Sequence, residues 1–554
     1  MKKHLLLTLG LSLLATSAFA QMTDDDDCDP TQVSDCDSKE SQIKEASKNI
    51  YPWKPLTTGK IRERIETLTE NKSFLWDIRE MDRRGLTRAN TKVQPWGGSF
   101  WPLYQGGVGN TYQNKDFTFY IFTPLRNTMW QANVKDYKKR VEKVHPKVYE
   151  LDEKELAKLA PSEKYDILLG DTSFSLTNTV WDYVEKYGED KHWGFLTKID
   201  MPDGYRLPKP GSMIALWEGI CHGWALGAGY IPRPEKTVNF TLPNGKKLPF
   251  YPNDIKALAS LNWANSNVQD NVLFEGNRCN KKNPDKDKFG RFIDTAIDGN
   301  DTELIPRCAD VHPAIYHVSV VNIMGVEGRP IVYDHNPKLA IANQPASGYE
   351  YTYYNLATGK DGNLNSSMIA LRDYKDPYAE SRNPEAVYVV GVEMNAKYVD
   401  WQQPRKKVTD SPKDDKIVDN KFIYDLEINA EGKIVGGQWH VSKKPGSYSG
   451  TSNQPDYFWL APRNYKDVME KPVKGLPFWP KGDFLPAPEY AQAAKGAHSF
   501  MYEESAKFFG SSPKCKVMPL DPKAEPQIVD CEFKKPKPQA LINVVDRLLE
   551  LSKN

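Results

Sequence analysis

The hydrophobic positions of this chain change rhythm near its middle. Between residues 60 and 84, Ile61, Ile65, Leu68, Phe74 and Ile78 recur with helical spacing and charges between them, which predicts a helical entry region. Residues 151–158 and 162–169 read as short helices, the second capped by Ser162, and 254–262 as a further helix. From residue 314 onward, β-type segments recur at 315–322, 330–334, 349–354, 386–394, 422–428 and 434–441. Helices first and strands later predict an α+β domain with an antiparallel sheet. Residues 93–113 are Gly- and aromatic-rich and irregular, and 406–421 form a charged connector. The chain beyond about 462 is Pro-rich, and 540–551 reads as an amphipathic helix docked on the rest.

The ends and the charge narrow the class. Residues 1–20 carry a basic head, an apolar run and Ala18-Phe19-Ala20, the pattern of a signal peptide cleaved near Ala20. That run is shorter than the roughly 20 apolar residues a membrane span needs, so a secreted or periplasmic protein with no membrane span is expected. Residues 21–48 read as an acidic polar linker. Lysine plus arginine number 74 against 73 for aspartate plus glutamate, a balance that offers nothing to nucleic acid.

An exported chain meets oxidising conditions, so the seven cysteines matter. Cys28 with Cys36, Cys279 with Cys308, and Cys515 with Cys531 form local pairs expected to be bridged. Cys221 is left over, either a buried inert thiol or a reactive one. It lies in LWEGICHGWALGAGY (216–230), where Gly219 breaks the preceding element and small residues follow, so a helix is expected to start at Cys221. A helix N-terminus presents free N–H groups and positive potential, which lower a thiol's pKa and can receive an oxyanion.

A nucleophilic thiol needs a base, and the base needs an orienting group. If 315–322 and 330–334 form a hairpin through a four-residue loop, His317 and Asp334 stand opposite each other on one face, Cβ atoms roughly 4.5–5.5 Å apart. A slip of one residue would separate them. A half-exposed structural His–Asp pair is the alternative. His222 adjoins the thiol in sequence but diverges from it on a helix, His312 precedes a proline, and His335 falls on the wrong strand face. His145, His192, His440 and His498 show no comparable constellation.

These residues resemble the transglutaminase-elicitor family, secreted enzymes with a papain-like triad. WEGICHGWA (217–225) resembles its nucleophile motif, and DVHPAIYHVSVVN (310–322) with IVYD (331–334) resembles the segments carrying histidine and aspartate. SFWPLYQ (99–105), SEKYD (162–166), DIKAL (254–258) and the span 434–460 also resemble family segments, in the same order. The family's surface elicitor motif is matched at Asn343, Gln344, Pro345 and Gly348, but Ala342 replaces tryptophan and Ala346 replaces valine.

The resemblance spans roughly 95–462 and implies a papain-like, transglutaminase-like core; with the pattern of the chain this gives a catalytic domain with its helical entry region at 49–405, a charged connector and β-hairpin at 406–465, and a Pro-rich extension with a terminal helix at 466–554. It implies acyl transfer from glutamine through a thioester on Cys221, with His317 as base and Asp334 orienting it. A lysine or other amine on a protein or peptide partner gives an isopeptide bond, and water gives deamidation. Trp224 is a candidate to line the acyl site, against a plain packing role. The rivals are a cysteine protease or cell-wall peptide hydrolase and, in another class, an inert binding protein on the same fold. The resemblance also raises calcium. The acidic loop 283–301, with Asp285, Asp287, Asp294, Asp298 and Asp301, does not fit an EF-hand, so no metal ligand is assigned.

Overall fold

The structure is a computed structural model. It describes residues 56–112, 129–190 and 214–469, short internal stretches excepted, together with 500–502, 514–517, 527–530 and 541–553. The expected signal peptide, the acidic linker and the pair Cys28/Cys36 lie outside the described residues, as do His192 and His498.

The centre is an antiparallel sheet whose main path has seven strands. In chain order these are β1 (Leu273–Gly276), β2 (Val332–Asp334), β3 (Asn343–Tyr354), β4 (Tyr388–Val399), β5 (Ile417–Ile428), β6 (Ile434–Gly436) and β7 (Tyr457–Leu460). They lie side by side as β6-β5-β4-β3-β2-β7-β1. The helices used below are α1 (Thr58–Thr69), α2 (Cys221–Tyr230), α3 (Pro252–Ala264), α4 (Pro313–Val320) and α5 (Leu541–Lys553). The α+β expectation with an antiparallel sheet therefore holds. The helix expected at 254–262 is α3, and the terminal helix α5 packs Leu541, Val544, Val545, Leu548 and Leu549 against Ile255 and Leu258 of α3.

Side chains of a strand alternate between faces, and in β2 and β7 both faces are buried. Tyr333, Phe458 and Leu460 join a core with Ile61, Ile65 and Leu68 of α1 and Ile315 and Val318 of α4. Val332, Tyr457 and Trp459 point the other way, onto Ala225 and Leu226 of α2 and Trp263 of α3. The sheet thus separates α4 from α2, and this separation governs the site.

The strand expected at 315–322 is a helix. Pro313 opens α4 with its fixed φ, and the His312 side chain accepts from the Ala314 N–H as N-cap. All eight residues of α4 are buried. A helix buried all round has no polar face, so its β-branched residues imitate a strand pattern. The helical entry region is two helices, Thr58–Thr69 and Ile78–Arg83, and the strand expected at 434–441 is limited to β6. Ser162 lies inside Pro161–Leu168, where Glu163 instead accepts from the Ala160 N–H.

Helices α2 and α3 meet at Gly223. A Cβ there would stand 2.1 Å from the Ser260 carbonyl oxygen and 2.6 Å from the Ala264 Cβ. Gly223→Ala is therefore expected to push the helices apart and lose about 1–3 kcal/mol in denaturant unfolding. An unchanged midpoint would show that this contact does not hold α2 in place.

Candidate active site

Cys221 is the first residue of α2, and its thiol is free and buried. The chain reaches it across Gly219, where a Cβ would lie 2.2 Å from the Phe100 carbonyl oxygen, and that carbonyl accepts from the Ile220 N–H at 2.8 Å. Only glycine lets 99–101 close down beside the thiol. Phe100 in turn meets Trp401 edge-on, ring centres 5.4 Å apart, and Trp401 is exposed.

The sheet supplies the opposite wall. Asp334 of β2 is paired across from Asn343 of β3, so their side chains share a face, and β7 pairs Tyr457 with Asp334 on the other side. That face looks toward α2. The Asn343 Nδ2 donates to the Cys221 Sγ at 3.4 Å, and the Trp459 Nε1 donates to the Asn343 Oδ1 at 3.0 Å. Asp334 Oδ1 accepts from the Asn336 and Ala342 N–H groups and so fixes the turn joining β2 to β3.

Burial pushes the Cys221 thiol up from its ordinary value, and the Asp334 charge pushes the same way. The Asn343 side chain and the backbone N–H groups of Asn343 and His222 pull it down. The helix N-terminus was expected to lower this thiol; desolvation outweighs it in the resting site.

The structure brings Asp334 to Cys221 but does not bring His317 there. The opposition of His317 and Asp334 across a hairpin does not form, because 313–320 is helical and β2 pairs with β3 and β7. His317 lies in the core on the far side of the sheet. Its Nδ1 is 2.8 Å from the Tyr424 hydroxyl, and its ring stands 4.8 Å from that of Tyr351. Tyr351 is eight residues along β3 from Asn343, roughly 25 Å in extended chain. The other described imidazoles are committed elsewhere: His145 to Glu163, His222 to the Ala264 backbone, His312 as an N-cap, His335 stacked on Tyr398, and His440 to Asp425.

Burial lowers His317 and His312 to about 3 and His222 to about 4. Depressed bases are neutral when folded and protonate on unfolding. The stability they contribute is present above the unfolded value, near 6.5, and is lost as pH falls below it. His317→Ala is expected to cost about 2–4 kcal/mol at pH 7, by cavity formation and the stranded Tyr424 hydroxyl, and to flatten the loss between pH 6.5 and 4. Equal acid slopes for variant and wild type in urea titrations would refute the assignment.

Trp224, a candidate acyl-site residue or a packing residue, is found packed in the interior. It is fully buried against Trp96, and its Nε1 donates to the Trp96 carbonyl at 3.2 Å. The segment matched to a surface motif is also internal: Asn343, Gln344, Pro345, Ala346 and Ser347 are all buried. Cys279 is disulfide-bonded, while the placement of Cys308 and Cys531 and the side chain of Cys515 lie outside the described residues. In the acidic loop, Asp287 accepts from the Phe289 and Arg291 N–H groups and from the Arg291 guanidinium. Asp294, Asp298 and Asp301 lie outside the described residues, and no cluster of metal-ligating side chains forms among the described ones.

Asn343 and Trp459 are the site residues that sequence reasoning missed as such. Residues 331–334 and 343–345 could have been read as a hairpin, which places Asn343 beside Asp334; the choice of 315–322 as the partner strand hid it.

Residues 206–472 match the family model described as transglutaminase elicitor. Over these residues the chain is transglutaminase elicitor-like. The elicitor-like segment contains Cys221, Asp334, Asn343 and Trp459 and every strand of the main path. The crystal structure of the GP42 transglutaminase from Phytophthora sojae is similar at a TM-score of 0.43 and 18% identity, over 73% of this chain and 90% of that one. No curated protein matches the chain. Among the described residues no helix is long and apolar enough to cross a membrane.

Proposed function

We propose that this is an exported, transglutaminase-like acyltransferase that uses Cys221 as nucleophile on glutamine side chains. The observation that carries the reading is Cys221 itself: a free thiol heading a helix, facing polar side chains at the sheet, inside the elicitor-like segment. In the proposed reaction the Cys221 sulfur attacks the γ-carboxamide carbon, the carbon–nitrogen bond breaks, and the thiol proton leaves on ammonia. A lysine amine then attacks the thioester and frees the thiol as the isopeptide bond forms; water in its place gives glutamate. In this reading the Cys221 N–H receives the carbonyl oxygen as it becomes anionic, since the Gly223 and Trp224 N–H groups donate to the Ile220 carbonyl.

Of the residues read from the sequence, Cys221 is the proposed nucleophile. Asp334 shares the sheet face that Asn343 turns to the thiol, and its charge holds the thiol's pKa up. His317 could serve as base only after leaving its pocket against Tyr424 and crossing the sheet. One observation favours the inert binding reading instead: the thiol is buried and its acidity suppressed. Incubation of the full chain with a labelled primary amine and a glutamine-containing protein tests the proposal. Incorporation supports it, cleavage alone indicates a protease, and no turnover leaves the binding reading.

A further inference from the structure

The amide of Asn343 is held unusually well for a side chain touching a thiol. Its oxygen is fixed by the Trp459 indole at 3.0 Å, so its nitrogen is aimed at the Cys221 sulfur at 3.4 Å. Trp459 is itself locked by packing against Ala225, Leu226 and Val332, which ties the amide's orientation to the core shared by α2 and the sheet. Asn343 is almost fully buried, so water does not compete for that amide.

We propose that Asn343 stabilises the Cys221 thiolate and holds the sulfur in its attacking position, with Trp459 orienting the amide. The inference rests on Cys221 being the nucleophile. Around the sulfur, the Asn343 amide and the backbone N–H groups of Asn343 and His222 favour negative charge; burial and Asp334 oppose it. Of the titratable groups adjoining Cys221 in the chain, Glu218 is engaged by the Tyr187 hydroxyl and the Ala215 N–H, and the His222 ring by Ala264. The Asn343 amide is the side-chain donor that, beside the two backbone N–H groups, offsets Asp334.

The thiolate is titrated by its ultraviolet absorbance, as the difference from Cys221→Ser, in full-length wild type, Asn343→Ala and Trp459→Phe. Loss of a donor to a charged group predicts a midpoint raised by about one unit or more in Asn343→Ala, roughly tenfold less thiolate at a given pH. Trp459→Phe keeps a ring in the core but removes the orienting N–H, and a smaller rise is expected. If Asn343→Ala does not fold, Trp459→Phe decides the matter. A midpoint equal to wild type in the folded variant overturns the proposal, even if amine incorporation is observed. A raised midpoint supports it even if no glutamine substrate turns over.

Discussion

Cys221→Ala is expected to abolish incorporation of a labelled primary amine, by roughly 10³-fold or more, while leaving a folded protein. The large effect follows from chemistry, since no neighbouring group can replace the sulfur: Asn343 is a neutral amide and Asp334 a weak nucleophile whose Oδ1 is bound by two backbone N–H groups. The small structural effect follows from size. Alanine removes one buried atom and takes the sulfur away from the Asn343 amide and the backbone N–H groups of Asn343 and His222, a loss of about 1–3 kcal/mol. Far-ultraviolet circular dichroism and the denaturation midpoint separate the two. Residual incorporation near wild-type level would remove Cys221 from the mechanism and return it to the class of inert buried thiols.

The same site shows what the sequence could and could not carry. The start of α2 was legible because Gly219 and the small residues after Cys221 leave a local mark on any backbone that must pack closely. The late strands were legible because β3, β4 and β5 each combine β-branched or aromatic residues with turns. Helix α4 was not, because burial on every side removes the polar face that distinguishes period 3.6 from period 2. That single misreading moved His317 from the core into the site and hid Asn343, since a one-partner error in strand pairing rewrites which side chains meet. The thiol's acidity failed for another reason. A helix N-terminus is a local property, whereas the desolvation that outweighs it depends on the whole sheet closing over the sulfur.

Arg382→Ala is expected to destabilise the fold by about 3–5 kcal/mol at pH 7, more than the other changes considered. Arg382 is the buried cation of a carboxylate cluster: it binds Asp425 at 2.6 and 2.9 Å, Glu427 at 3.1 Å, and Asp376 at 2.8 and 3.1 Å. Asp425 and Glu427 are almost wholly buried, and His440 adds a contact to Asp425 at 2.7 Å. Burial alone would raise Asp425, but the Arg382 charge and the His440 hydrogen bond hold it at about 2; burial raises Glu427. A depressed carboxylate contributes stability above its unfolded value, near 4, and loses it as pH falls toward 2. Without Arg382 the sign reverses: the buried carboxylates rise above their unfolded values, so the variant's deficit is largest at neutral pH and shrinks as they protonate on acidification. Urea titrations at pH 7 and pH 5 measure this, and a deficit that grows on acidification would refute it. Asp425 pairs with Gly391, which pairs with Tyr354, at the opposite end of β3 from Asn343. That is roughly 35 Å of strand from the thiol. Folded Arg382→Ala should therefore keep the wild-type thiolate midpoint, which separates support of the sheet from chemistry at its other end.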